Sequence, residues 1–192
     1  MPSSKSDIKL IHFTWEKGND AIYDLSGGTA RFKEGVTELY RPAVSSFELK
    51  PGTGKYFWEC HVNHENLRMG VCTADVDLNG EMGQTPGSWS VNIQTGACET
   101  DGKEFKRLWR LIVPVSGGTF AFLYDTDAGT MQIYFNNEFH GTAFNQDAGL
   151  QGKTVRFAVG IGALETHNRN IGIGKKRVIV KENPELYNTI VL

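Results

Sequence analysis

The sequence lacks the features that would place a protein on nucleic acid or in a membrane. Its 192 residues carry a net charge of only −2, which creates no positive field to attract phosphate groups. No apolar run approaches the roughly 20 residues that a membrane-spanning helix needs. Residues 1–7 are polar and lack the apolar segment of a signal peptide. We therefore expect neither a nucleic-acid partner nor a membrane partner.

Cysteine is also scarce, and its pattern bears on the cellular compartment. The three cysteines, Cys60, Cys72 and Cys98, are an odd number without paired spacing, and the chain contains no Asn-x-Ser/Thr glycosylation acceptor. Both facts are typical of proteins from a reducing environment. We expect a cytoplasmic protein whose thiols are small, semi-buried side chains rather than a metal or redox site.

The patterns that mark many enzymes are missing too. The five histidines are scattered, without a His-Glu-x-x-His pair for a metal. Neither a Gly-x-Ser-x-Gly nucleophile turn nor a phosphate-binding glycine loop occurs. A glycosidase on a β-sandwich would need two facing carboxylates about 5–9.5 Å apart, whereas Glu59 is a single carboxylate on a predicted strand. We expect no enzymatic activity, no cofactor and no metal site.

What the chain does contain is a series of short strand-like runs separated by many of its 22 glycines. This rhythm predicts an all-β sandwich or barrel rather than alternating strands and helices. Helices should be few and short because no long window has an apolar repeat of 3.6 residues. The best helical candidate is 183–188, with Asn183 as its N-cap. The eight predicted strands cover residues 22–25, 30–33, 56–62, 69–73, 88–92, 119–125, 130–136 and 155–160.

The clearest of these runs lies between residues 119 and 144. Apolar and polar side chains alternate along 130–136, which predicts a strand with one buried face. The acidic stretch 125–129 ends in a glycine that can adopt positive φ, so it predicts a hairpin turn. Asn136-Asn137 predicts a second turn because asparagine tolerates left-handed backbone. The segment is therefore predicted to be a three-stranded meander.

Five short motifs in a fixed order give the chain a resemblance to the SPRY domain family, over roughly residues 20–174. Each motif is weak alone, but the five together in the right order make a specific pattern. The motifs are residues 54–62 (GKYFWECHV), 69–72 (MGVC), 88–91 (SWSV), 124–144 (a Tyr-Asp-Thr-Asp turn, then GTMQIYFNNEFHGTAF) and 157–162 (FAVGIG).

The resemblance implies a concanavalin-like jelly roll, in which two antiparallel sheets form a sandwich and end loops form a shallow partner-binding surface. Family members are mostly adaptors or scaffold parts without catalytic activity, so it also implies a protein or peptide partner. We expect an N-terminal segment 1–19, the sandwich 20–174 and a C-terminal tail 175–192. The run 177–181 in this tail is predicted to add an edge strand. Its basic cluster, Lys175, Lys176, Arg177 and Lys181, is expected to protect this edge from aggregation, with a partner contact as the alternative.

Several loops are predicted to form the binding surface. In peptide-binding relatives an Arg-x-Pro-type stretch precedes the Trp-Glu strand, and Tyr40-Arg41-Pro42 resembles it with a spacing one residue tighter. The aromatic residue that those relatives carry after the closing strand is missing, so their peptide specificity does not carry over. The mixed loops 73–87, 103–110 and 164–168 complete the surface, since function concentrates on loops held by a rigid scaffold. The predicted partner-binding residues are Tyr40, Arg41, Pro42, Asp75, Asp77, Trp109, Leu164 and His167.

The residues alone leave alternatives open. Tyr40 and Trp109 could instead pack against the sandwich. Residues 75–80 match the first half of an EF-hand calcium loop, but the twelfth position is Pro86 instead of glutamate, which favours a solvated acidic turn. A lectin-like site could use Trp89 as a stacking ring with Asp75 and Asn79 as ligands, although Trp89 lies on a predicted core strand. The expected function is a non-catalytic adaptor or subunit of a larger assembly, with binding of carbohydrate or another small ligand as the alternative.

Overall fold

The structure, a computed structural model, describes residues 8–33, 35–36, 39–63, 66–108, 117–162 and 177–182. Within these residues fifteen strands form two sheets, and the one helical element is the short 3-10 turn Gln146–Ala148. The predicted all-β sandwich is confirmed. The helical candidate 183–188 lies outside the described residues. In the described part of the chain, no helix is long and apolar enough to cross a membrane.

The first sheet has eight strands and contains the predicted meander. Its strands are β1 (Ile8–Leu10), β3 (Tyr23–Ser26), β4 (Thr29–Phe32), β6 (Lys55–Val62), β11 (Gly118–Asp125), β12 (Thr130–Phe135), β13 (Glu138–Phe144) and β15 (Arg177–Val180). Their order is β13-β12-β11-β6-β15-β4-β3. The short strand β1 also pairs with β6, and this is a parallel pair in an otherwise antiparallel sheet.

The second sheet has seven strands, and all its pairs are antiparallel. Its strands are β2 (Trp15–Lys17), β5 (Pro42–Leu49), β7 (Leu67–Cys72), β8 (Ser88–Asn92), β9 (Ala97–Thr100), β10 (Lys103–Arg107) and β14 (Val155–Ile161). Their order is β10-β9-β8-β7-β14-β5-β2. The closing strand β14 therefore lies near the middle of this sheet, between β7 and β5.

The core lies between the two sheets and is filled by the alternating residues of the strands. Trp58 of β6 is fully buried, and it stacks on Phe122 of β11 with ring centroids 5.5 Å apart. Phe157 reaches the same tryptophan from the second sheet at 5.2 Å. Such aromatic pairs add to the stabilisation from burial. All three cysteines are buried, and burial raises the pKa of the Cys72 and Cys98 thiols to about 12.

All eight predicted strands are present, within one or two residues of their predicted bounds. The strands that were not predicted are β1, β2, β5, β9 and β10. Strand β5 begins with a proline and contains a register shift, which hides its alternation. Strand β9 has only four residues, and four of the five residues of β10 are charged and exposed. Hydrophobic periodicity is a weak signal for such strands.

The C-terminal run 177–181 does form a strand, but the prediction that it lies at a sheet edge is wrong. Strand β15 lies inside the first sheet, paired with β4 on one side and with β6 on the other. Val178 and Val180 point into the core and are 0% and 3% exposed. The division of the chain into 1–19, 20–174 and 175–192 stays a prediction; in the structure, strands from all three parts pair within the two sheets.

Candidate partner-binding face

We call the end of the sandwich where β5 and β7 begin and β14 ends the loop end. Strand pairing defines it: Pro42 of β5 lies opposite Gly160 of β14, and Leu67 of β7 lies opposite Ile161. Residues 39–41 lead into β5 at this point. The loop end therefore brings the predicted Tyr40-Arg41-Pro42 stretch beside the last residues of the closing motif.

Tyr40 is half-buried at the loop end and is held from several sides. Its φ of +50° is a left-handed conformation that bulky residues rarely adopt. Its N–H donates to the carbonyl of Ile161 (3.2 Å), and its own carbonyl accepts a hydrogen bond from the N–H of Met82 (3.0 Å). Its hydroxyl donates to Asn66 Oδ1. Tyr40 thus connects the end of β14, the loop 73–87 and the chain just before β7.

Two glycines of the closing motif leave the space that Tyr40 occupies. A Cβ atom on Gly160 would lie 2.5 Å from the carbonyl oxygen of Tyr40. A Cβ atom on Gly162 would lie 2.8 Å from Cε1 of the Tyr40 ring and 2.7 Å from Nδ2 of Asn66. These distances are too short for any side chain. The glycines of the motif at 157–162 are therefore explained by the close approach of Tyr40 rather than by a turn.

Arg68 of β7 lies against the ring of Tyr40, and sequence reasoning did not predict it. Its guanidinium carbon is 4.8 Å from the ring centroid, within cation–π range. Its Nη1 donates to the carbonyl of Met82 (2.6 Å). Two carboxylates compensate its charge: Nη1 is 2.7 Å from Glu99 Oε2, and Nη2 is 3.2 Å from Glu81 Oε1. Because Arg68 is only 8% exposed, these protein groups replace water around it.

The sequence contained a signal for Arg68. It interrupts the run L-R-M-G-V-C of β7, in which every residue is buried. A charged residue within such a run must find buried partners, because an unpaired charge is rarely found in a protein interior. The identity of those partners could not be predicted, since Glu81 and Glu99 come from a loop and from another strand.

The loop 73–87 is packed onto the outer face of the second sheet, although its composition suggested an irregular recognition loop. Its base is closed by a hydrogen bond from Thr73 N–H to the carbonyl of Gly87 (2.8 Å). Further along, Val76 and Met82 are buried in a small apolar cluster with Val44, Cys72 and Ala158. The loop therefore runs from the far end of β7 back to Tyr40, and Met82 anchors it there.

Asp75 and Asp77 are both exposed on this loop. Asp75 lies just beyond the opposite end of β7 from Tyr40, and the six residues of β7 alone span about 17 Å. The Thr73 hydroxyl and the backbone N–H of Asp75 itself lower the pKa of the Asp75 carboxyl. Asp77 Oδ1 accepts from the N–H of Asn79 (2.9 Å), so it caps its own turn. Within the described residues, no group of three or more metal-binding side chains is found.

Of the remaining predicted site residues, the structure describes Pro42 and Arg41. Pro42 is buried at the start of β5. Arg41 is half-buried, and its carbonyl accepts from the hydroxyl of Tyr23 (2.5 Å). Leu39, which was not predicted, is 46% exposed beside them. Trp109, Leu164 and His167 lie outside the described residues.

Trp89, the proposed stacking ring of a lectin-like site, is a core residue. It is 5% exposed, and its indole Nε1 donates to the carbonyl of Ala148 (2.7 Å). Asn79, which would have supplied a sugar ligand, accepts at Oδ1 from Asn19 Nδ2 (2.8 Å). The lectin-like site as predicted needs an exposed face of Trp89 for stacking, and Trp89 does not offer one.

The sequence pattern of the SPRY domain family matches residues 55–174. Because this match spans more than half of the chain, the chain belongs to the SPRY domain family, as its motifs predict. SPRY domains are generally non-catalytic protein–protein interaction modules. No curated protein matches the chain in sequence.

Solved structures of SPRY domains share the fold at low sequence identity. The TRIM65 PSpry domain is 13% identical with a TM-score of 0.67, and the match covers 91% of this chain and 94% of that domain. The SPRY domain of human HERC1 is 18% identical with a TM-score of 0.55, covering 82% and 85%. A further human SPRY domain is 15% identical with a TM-score of 0.57, covering 85% and 97%. At these identities the likeness establishes the fold alone.

Proposed function

We propose that this chain is a non-catalytic adaptor or subunit that binds an extended segment of a partner protein at the loop end, around Tyr40. The observation that carries the proposal is the conformation of Tyr40. A half-exposed tyrosine is held at φ +50° by backbone bonds on both sides, a hydroxyl bond and a stacked guanidinium. A left-handed non-glycine residue costs about 1–3 kcal/mol and persists only where its surroundings fix it.

Such a residue suits the role of a binding anchor. Tyrosine and arginine are the residue types that most often carry interface energy. A side chain that is already fixed loses little freedom when a partner binds, so more of the contact energy appears as affinity. Leu39 adds exposed apolar surface directly before Tyr40. We expect the partner segment to cover Leu39 and Tyr40 and to reach Arg41.

The alternative, binding of a carbohydrate, is less well supported because Trp89 is buried. We also propose that this chain is cytoplasmic, has no enzymatic activity and has neither a nucleic-acid nor a membrane partner. They draw on the family's general character, on the small net charge and on the three unpaired cysteines of the sequence.

The test is selection of peptides from a random displayed library on the immobilised chain, followed by affinity measurement with the synthesised peptides. We expect Tyr40→Ala and Arg41→Ala each to weaken binding by about tenfold or more, as anchor residues do. Phe139→Ala is the matched control, because Phe139 is a 54% exposed aromatic on β13, in the other sheet. Failure to select any peptide, or equal binding by Tyr40→Ala, would refute the proposal, and inhibition by free sugars would favour the carbohydrate alternative.

A further inference from the structure

We propose that Arg68 is a positioning residue for the loop end: it holds the ring of Tyr40 and the segment 81–83 in one arrangement, and partner affinity depends on it although its guanidinium is buried. The inference rests on the proposed function, because it concerns how the same face is kept ready for a partner. Arg68 itself need not touch the partner.

Arg68, Met82 and Tyr40 each contact the other two, and we call this set of contacts the Tyr40 circuit. Arg68 Nη1 donates to the carbonyl of Met82, and the N–H of Met82 donates to the carbonyl of Tyr40. The ring of Tyr40 then lies on the guanidinium of Arg68. Because each residue contacts both others, a displacement of one must be followed by the other two. The ring of Tyr40 and the backbone at Met82 are therefore expected to move as a unit.

The circuit is also tied to the rest of the second sheet. Glu99 on β9 holds Nη1 of Arg68 at 2.7 Å. Gly83, next to Met82, donates its N–H to Ser88 Oγ (2.9 Å), and Gly102 donates its N–H to the carbonyl of Gly83 (3.0 Å). These bonds join Gly83 to β8 and to the turn after β9, whereas Met82 is joined to β7 through Arg68. The positions of Tyr40 and Met82 at the loop end are therefore set by contacts with strands β7, β8 and β9 of the second sheet.

Stability alone gives a poor account of this buried charge. Replacing a whole buried ion pair with well-packed neutral groups is often neutral or stabilising, because desolvation offsets the attraction. Within the described residues, the buried Nε of Arg68 and the nearby buried Ser90 Oγ lack hydrogen-bond partners, so the polar cluster is not fully satisfied. What the arginine does supply is geometry, since its planar fork reaches a carbonyl, two carboxylates and a ring at once.

The inference is tested with two variants of the full chain. Arg68→Lys keeps the charge but replaces the fork with a single point charge. Arg68→Met combined with Glu99→Gln removes the ion pair without leaving a buried carboxylate charge at position 99. The control is Arg156→Met combined with Glu48→Gln, because Arg156 is a partly buried arginine of the same sheet that pairs with Glu48 at 3.0 Å and with Glu16 at 2.7 Å.

Two measurements are made on each variant: amide hydrogen exchange at Met82, and affinity and dissociation rate for the peptide selected on the unmodified chain. In both Arg68 variants we expect exchange at Met82 to rise about tenfold or more and the peptide to bind about tenfold more weakly, mainly through faster dissociation. Exchange at Thr126, whose N–H bonds the carbonyl of Gly54 at the far end, is expected to stay unchanged. The control variant should change neither quantity.

The outcomes separate this inference from the proposed function. Unchanged exchange at Met82 in both Arg68 variants overturns the inference, and so does unchanged peptide affinity. If Tyr40→Ala weakens the peptide while the Arg68 variants do not, the proposed function stands and the inference falls. If Tyr40→Ala binds as well as the unmodified chain, it is the proposed function that falls.

Discussion

Replacing Gly160 with alanine tests whether the closing strand is shaped by Tyr40. The new Cβ would lie 2.5 Å from the carbonyl oxygen of Tyr40 and 2.8 Å from its carbonyl carbon and Cα. These are backbone atoms, so no rotamer change can relieve the contact. Either β14 or the segment around Tyr40 must shift, and with it the hydrogen bond from Met82 N–H to Tyr40.

The expected loss of stability follows from two opposing effects. Forcing a methyl group into a packed site costs about 1–3 kcal/mol. Alanine also restricts the unfolded chain, which returns about 0.4–1 kcal/mol. The net loss is therefore about 1–2 kcal/mol, or roughly 2–8 °C in melting temperature for a chain of this size. Unfolding in urea, followed by tryptophan fluorescence, measures this loss of unfolding free energy directly.

A matched glycine gives the control. A Cβ on Gly28 would lie 3.4 Å or more from its neighbours, and no positive φ is required there. Gly28→Ala is therefore expected to leave stability unchanged or to raise it by up to about 1 kcal/mol, through restriction of the unfolded chain alone. If Gly160→Ala unfolds at the same urea concentration as the unmodified chain, and Met82 keeps its exchange rate, then Tyr40 does not determine the glycine and the reasoning is wrong.

Three further predictions concern buried polar groups. Arg68→Met alone should lower the free energy of unfolding, measured in urea, by about 3–5 kcal/mol, because the carboxylate of Glu99 loses its partner. Adding Glu99→Gln should restore much of this loss, and equal losses in the single and double variants would contradict the prediction. Burial lowers the pKa of His140 from 6.5. Its contribution should thus be present above about pH 6.5 and lost as pH falls through the lowered value, so that His140→Gln flattens the melting temperature between about pH 7 and 5. The cysteine thiols should resist a thiol reagent until urea unfolds the chain; rapid labelling of native protein would contradict their burial.

The sequence predicted the fold well where one face of a strand is apolar and the other is not. The meander from β11 to β13 shows this, since its turns carry residues that tolerate left-handed backbone, with Gly129 at φ +65° and Asn136 and Asn137 at +46° and +71°. Strand β15 shows the limit. Its alternating valines are compatible with an edge or an interior strand, and the choice depends on β4 and β6, which are far away in sequence.

The candidate site was predictable only in part, for a similar reason. Tyr40 and Arg41 could be proposed because they resemble a stretch known in the family. Arg68 carried only a general signal, a charge within the apolar run of β7. Its place beside Tyr40 could not be predicted, because Arg68 is buried only after the loop 73–87 folds across the sheet. The same folding turned a predicted recognition loop into packed structure that holds Tyr40 by Met82.

The proposed binding face lies outside the core that fixes the fold. The residues that fix the sandwich, such as Trp58 and Phe157, lie between the sheets, whereas Tyr40, Arg68 and Met82 meet on the outer face of one sheet. The inner set is determined by packing, and relatives at 13–18% identity retain the same architecture. The outer set lies outside that packing, and a coordinated change of its charged members, such as Arg68→Met with Glu99→Gln, is expected to leave the fold intact. Partner choice in this chain should therefore depend on the Tyr40 circuit rather than on the motifs that identify the family.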